Sequence, residues 1–175
     1  MNLNNIICRP SDDRSKRFLL GKKGSSELLA IGLNPSSANE SLLDPTSRNI
    51  QIIANQNGCD GWWIVNLYPA RFSKPKNLPK RANKNLLNEN LITIKSIVHD
   101  DKYNIKKILC CWGNNVESKL YLKNQVKLIL NHLSSLEFDF YCIGKTKLGN
   151  PFHPSPQSIN RFLGGINQIT LKEFK

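Results

Sequence analysis

Hydrophobic residues fall into short runs separated by polar stretches containing glycine and proline. Leu28-Leu29-Ala30-Ile31-Gly32-Leu33 is an unbroken apolar run that stops at Asn34-Pro35-Ser36. It predicts a buried strand running into a loop, because a strand without polar alternation needs cover on both faces. Trp62–Leu67 predicts a second strand, broken by Tyr68-Pro69, Ile108–Gly113 a third and Phe138–Ile143 a fourth. Between these runs the spacing becomes helical. Pro45 and Thr46 open a predicted helix reaching about Asn57, with Ile50, Ile53 and Ala54 recurring on one face. Leu86, Leu87, Leu91, Ile94 and Ile97 form one stripe of a helix over about 83–98. Further helices are predicted over about 116–133 and 157–169. Arg17-Phe18-Leu19-Leu20 predicts a short edge strand, and Gly21–Ser26 a turn.

Strand and helix alternate four times without an internal repeat. The expectation is a single α/β domain over residues 1–175: a three-layer α/β/α arrangement around a central four-stranded, mainly parallel sheet. Ligands of such sheets bind outside the carboxyl ends of the strands. The segments there are 34–39, 66–71, 113–115 and 149–158, which are rich in small polar residues.

Composition narrows the class. With 175 residues, 39% hydrophobic and 22% charged, the chain is long enough and apolar enough to bury a core. No apolar run approaches the length of a membrane span. Met1–Pro10 lacks the apolar centre of a signal peptide. The five cysteines are odd in number and form no C-x-x-C spacing, which fits reduced, buried thiols. The expected setting is the cytoplasm, with no membrane partner.

The net charge is +12, but 18 Lys against 7 Arg, with 22 Asn, is also what an AT-rich coding sequence produces. The charge is nevertheless uneven. Arg71, Lys74, Lys76, Lys80, Arg81 and Lys84 follow one another without an intervening acid. Such a segment is either a nucleic-acid footprint or a solvated loop. Arg48 fits a phosphate contact or an i, i+4 pair with Asp44 equally well.

Three places can carry chemistry. Asn34-Pro35-Ser36-Ser37 is a turn whose amides and hydroxyls suit a phosphate or a water. Asn66 ends strand two, where a carboxamide presents one donor and one acceptor, either to a base edge or to a loop. His153-Pro154-Ser155-Pro156 holds a histidine on a stiff loop. His99 and His132 sit near predicted helix ends, and neither has metal-ligand spacing. The chain has no P-loop, dinucleotide fingerprint or nucleophile elbow. No cofactor or metal is expected. Tyr68, Trp62, Trp63 and Trp112 either stack on bases or fill the core.

Together these motifs resemble those of a bacterial and phage family of unknown function, DUF1643. The resemblance rests on the basic-aromatic segment 14–20, Leu33-Asn34-Pro35-Ser36 with Asp44-Pro45-Thr46 and Arg48, Val65-Asn66-Leu67, Trp112-Gly113, and Gly144-Lys145-Thr146-Lys147-x-Gly149 before His153-Pro154. It covers roughly residues 14–160. The Gly-x-Asn-Pro and His-Pro-Ser-Pro motifs and their order also resemble the uracil-DNA glycosylase superfamily.

That second resemblance implies a uracil-DNA glycosylase-like fold and roles for particular residues. Asn34 would position the hydrolytic water, with backbone help from Pro35 and Ser36. His153 would donate to the base oxygen as charge develops, Asn66 would read the base edge, and Ser155 would hold a phosphate. Arg71, Lys74, Lys76, Lys80, Arg81 and Arg48 would follow the strand. The implied activity is hydrolysis of the N-glycosidic bond of uracil or a modified pyrimidine, in DNA repair or modification. Gln157 stands where the main uracil-specific enzymes carry an apolar wedge. Without a wedge, extrusion from a duplex is harder to support, which favours single-stranded or mismatched DNA. The alternatives are a non-catalytic nucleic-acid or nucleotide-binding module of the same fold and an enzyme acting on free nucleotides.

Overall fold

A computed structural model describes residues 5–175; residues 1–4 of the predicted domain lie outside it. The chain is mixed α/β. Its strands are β1 (Ile7–Arg9), β2 (Leu19–Lys22), β3 (Glu27–Gly32), β4 (Gly61–Asn66), β5 (Ile105–Cys110), β6 (Phe140–Cys142) and β7 (Lys172–Glu173). Its helices are α1 (Pro45–Gln56), α2 (Lys84–His99), α3 (Leu120–Ser134) and α4 (Pro156–Phe162). All strands form one sheet in the order β1-β2-β4-β3-β5-β6-β7.

The four strands expected from the apolar runs are β4, β3, β5 and β6, and they pair in parallel. The expected sheet of four is corrected to seven. β1 and β2 extend it antiparallel on one side, and β7 on the other. Arg17–Leu20 does not form the edge: β2 starts at Leu19 and is flanked by β1 and β4. At three and two residues, β1 and β7 are too short to show a periodicity in the sequence.

Alternate residues of each central strand feed two separate cores. Leu29, Ile31, Trp63, Val65 and Ile108 pack with Ile94 and Ile97 of α2 and Leu122 and Ile129 of α3. Leu28, Ala30, Trp62, Ile64 and Leu109 pack on the other face with Ile50, Ile53 and Ala54 of α1 and Ile159 of α4. This two-sided burial is why the strands read as continuous apolar runs. Trp62, Trp63 and Tyr68 are buried in these cores. Cys110 and Cys111 point into opposite cores, and all five cysteines are buried and free. Burial pushes the Cys111 thiol up to about 12, so it is not a nucleophile at neutral pH.

Two helix boundaries shift. A 3-10 turn at Asn114–Ser118 precedes α3. α4 ends at Phe162, because Gly164 and Gly165 take positive φ of 75° and 103° and turn the chain out. No helix among the described residues is long and apolar enough to cross a membrane.

Gly21 in β2 is a point of close approach. A Cβ there would sit 2.1 Å from the Trp62 carbonyl oxygen and 2.6 Å from Cε3 of Trp63. The first obstacle is backbone in a paired strand and has no room to yield. Gly21→Ala is expected to cost about 1–3 kcal/mol, read as a lower urea midpoint with an unchanged slope.

Candidate functional site

The parallel strands deliver three polar segments to one end of the sheet. In the register of β3 and β4, Gly32 lies beside Asn66. The pairing continues past the strands, with Leu67 N–H donating to Gly32 O and Tyr68 N–H to Leu33 O. On the other side Cys111 N–H donates to Ile31 O. Gly32, Asn66 and Cys111 therefore exit at one level and line the same hollow, of about 230 Å³. Asn34, Ser36, Asp44 and His153 complete much of its wall.

Asn66 is only 2% exposed, and its side-chain nitrogen has no hydrogen-bond partner. Its own carbonyl accepts from Nδ2 of the buried Asn90 at 2.8 Å, which fixes the backbone. Its Oδ1 lies 2.8 Å from where a Cβ on Gly32 would stand, so only glycine leaves room for this amide. A buried donor left unpaired is costly, and here it lines a cavity.

Asn34 is oriented by its surroundings. Its Nδ2 donates to Pro35 O at 3.0 Å and to Phe72 O at 2.8 Å. Both partners are carbonyls, so the amide cannot be reversed, and Oδ1 remains as its free acceptor. Pro35 is buried, and its carbonyl also accepts from Phe72 N–H.

His153 is held from several sides. Asn49 Nδ2 of α1 donates to Pro154 O at 2.9 Å. Gly113 N–H donates to Pro151 O, and Phe152 N–H to Gly144 O. A Cβ on Gly113 would come within 3.2 Å of the His153 Cβ, and Gly113 has φ of 71°, so glycine is needed there twice over. Burial lowers the His153 pKa, while the Asp44 carboxylate pulls it the other way; the net shift is downward. The imidazole is therefore mainly neutral at pH 7.

Asp44 caps α1, accepting from Ser47 N–H at 2.8 Å and from the Ser36 hydroxyl at 2.5 Å. Burial pushes its carboxyl up, but these hydrogen bonds and the charge of Arg17 outweigh that and hold it below the ordinary value. Ser36 therefore serves the loop. Ser155 likewise caps α4, accepting from Ser158 N–H at 3.2 Å.

A second hollow of about 320 Å³ adjoins the first and shares Asn34, Pro75 and His153 with it. Trp112, Ser155, Gln157 and the stacked rings of Phe152 and Phe162, 5.5 Å apart, supply part of its wall.

The expected strand contacts divide. Arg71 turns inward: its guanidinium donates to Ser36 O at 2.5 Å and to Ala38 O at 3.0 Å. Those carbonyls hold the guanidinium against the loop. Lys74, Lys76, Lys80 and Arg81 are exposed on the loop that follows. Arg48 is exposed on α1 and forms no ion pair with Asp44 among the described residues; it lines neither hollow.

Arg17, unassigned from the sequence, also lines the first hollow. It is 3% exposed and donates to Ala38 O at 3.0 Å. Burial, then the charge of Arg71, lowers its pKa to about 10, so it stays charged at pH 7.

The family profile described as a protein of unknown function, DUF1643, matches residues 17–155, and the chain belongs to that family. No curated protein and no solved structure matches it.

The lowered pKa of His153 has a measurable consequence. A histidine favoured as neutral in the folded chain contributes stability that is present above 6.5, its ordinary value. That contribution is lost as pH falls through 6.5 towards the lower folded value. In denaturation curves between about pH 7.5 and pH 5.5, His153→Gln is expected to lose stability less steeply than wild type. Titration of the His153 ring by NMR should show a midpoint below 6.5.

Proposed function

We propose that the protein hydrolyses the N-glycosidic bond of a pyrimidine, uracil or a modified relative, in single-stranded or mismatched DNA. The observation that carries this reading is that Asn34, Asn66 and His153, from three separate segments, line one hollow at the carboxyl ends of the parallel strands. The helix-covered faces and four parallel strands also support a uracil-DNA glycosylase-like reading of the fold. The buried free cysteines fit a cytoplasmic setting.

The chemistry follows from the three side chains. The Asn66 amide meets the donor and acceptor of the pyrimidine edge. The C1′–N bond breaks, and its electron pair leaves with the base. The neutral His153 ring donates an N–H to the base oxygen where negative charge builds. Water, held by the free Asn34 Oδ1, adds to the oxocarbenium carbon, and its proton passes to solvent or to the departed base. The chain's part in these steps is placement and charge stabilisation, through groups already fixed by the fold.

One observation favours free nucleotides as a second reading. With Arg71 committed to the loop, the basic segment offers a strand only exposed cations such as Lys74, Lys76, Lys80 and Arg81.

The test is release of uracil or hydroxymethyluracil from end-labelled single- and double-stranded oligonucleotides, read as alkali-labile sites. The protein is purified from cells lacking their own uracil glycosylase. Wild type is expected to cleave, with His153→Ala and Asn34→Ala each slower by about 10²–10³. Intact strands at high protein concentration, with base release from free nucleotides, would transfer the proposal to the second reading. Salt-sensitive strand binding without release from either would leave a binding module.

A further inference from the structure

A guanidinium excluded from water needs a counter-charge or a full set of acceptors. Arg17 has neither. Its one side-chain hydrogen bond runs from Nη1 to Ala38 O, a carbonyl it shares with Arg71. Its Nε is buried without a partner. Among the described residues it forms no ion pair, and neither does Arg71. Asp44 is the carboxylate in the wall of the first hollow, and it is occupied by Ser36 and Ser47.

The charge balance is simple. In the wall itself Arg17 faces the single carboxylate of Asp44, beside a neutral His153. Behind the wall stands a second guanidinium, Arg71, on the carbonyl it shares with Arg17, so that the two arginines together exceed Asp44 by one positive charge. Two further features share its sign. The N-terminus of the twelve-residue helix α1 contributes Thr46 and Ser47 to the hollow, bringing the positive end of the helix dipole with it. The unpartnered Asn66 nitrogen, also in the wall, is another donor seeking an acceptor.

We infer that Arg17 makes this hollow a site for a planar monoanion, and that its ligand is a pyrimidine carrying a carboxylate or an equally acidic group. The pyrimidine half rests on the proposed function; the anion half rests on Arg17 alone. A single leftover charge matches a monoanion, and the flat donor fork of a guanidinium suits two coplanar oxygens better than a lone point charge does. The Asn66 amide then meets the ring edge while Arg17 meets the acidic substituent.

Three probes separate the halves: orotate (a pyrimidine carboxylate), uracil (the same ring without the charge) and benzoate (the charge on a ring without the polar edge). Each is titrated into the full chain by calorimetry at low salt. Orotate is expected to bind at least about tenfold more tightly than uracil. Arg17→Met should remove that difference. Asp44→Asn provides an arm that does not depend on how Arg17→Met folds. A carboxamide still caps α1, and loss of the opposing charge should strengthen orotate and benzoate binding while leaving uracil unchanged. Equal affinities for all three probes, or an Asp44→Asn variant that binds both anions no better, overturns the inference. Uracil binding with both anions rejected also overturns it but leaves the proposed function standing. Benzoate binding as well as orotate, with uracil unbound, upholds the anion site and overturns its pyrimidine half together with the proposed function.

Discussion

The parallel pairing of β3 with both of its neighbours is the constraint on which the rest of the molecule depends. β3 is buried along its whole length, and its residues alternate between two cores. A slip of one residue would exchange the two sets of side chains, placing Leu28 and Ala30, which pack on the α1 side, against α2 and α3. The same register sets the site. Gly32 lies beside Asn66, and the missing side chain of the one makes room for the amide of the other. Core packing and the cavity wall are thus fixed by one set of backbone hydrogen bonds, and the cavity cannot be rearranged without cost to the core.

A second constraint acts on the loop after β3. The Ala38 carbonyl accepts from Arg17 and Arg71 at once, and Ser36 O accepts from Arg71. Each bond from a charged donor is stronger than a neutral one, and each recruits a guanidinium at a desolvation cost. Like charges held on one oxygen repel, which is one reason the Arg17 pKa falls. The arrangement brings rigidity to the segment that carries Asn34, but sets two guanidinium groups beside one carboxylate, Asp44. Stability alone would favour neutral side chains at such a place. Charge retained next to a cavity is better explained by what enters the cavity.

Much of this was legible along the chain. The apolar runs marked the four parallel strands, and the ends of those runs marked the residues that meet at the site. Asn90 was missed, although a signal was there: it lies on the apolar stripe of α2 between Leu86 and Ile94, where a polar residue needs a buried partner. What local pattern could not show was pairing across the chain. β1 and β7 are too short to carry a periodicity, and they become strands by adding to edges already present. Arg71 looked like one more cation in a basic run, and only the return of its loop to Ser36 and Ala38 separates it from Lys74 and Lys76. Arg17 stood at the head of an apolar strand, where a charged residue ordinarily marks the end facing solvent. Its burial follows from the bridge between Lys16 and Ala70 and from its amide bond to Pro69 O, contacts spanning more than fifty residues.

The two hollows bear on where a reaction could occur. Asn34 and His153 belong to both, while Asn66 and Arg17 face only the first, and Phe162 and Ser155 only the second. A ligand that fills both spaces must have its junction at the shared wall. The groups at that wall are an oriented acceptor and a neutral imidazole, one suited to holding water and the other to donating a proton as charge develops. The first hollow offers polar recognition and a buried guanidinium, and the second offers aromatic faces and small polar groups. A compound built from a flat polar ring joined to a bulkier part matches that division, and a glycosidic bond is a junction of this kind. On the proposed reading, Asn34 and His153 stand at the position where the two halves of such a ligand would meet.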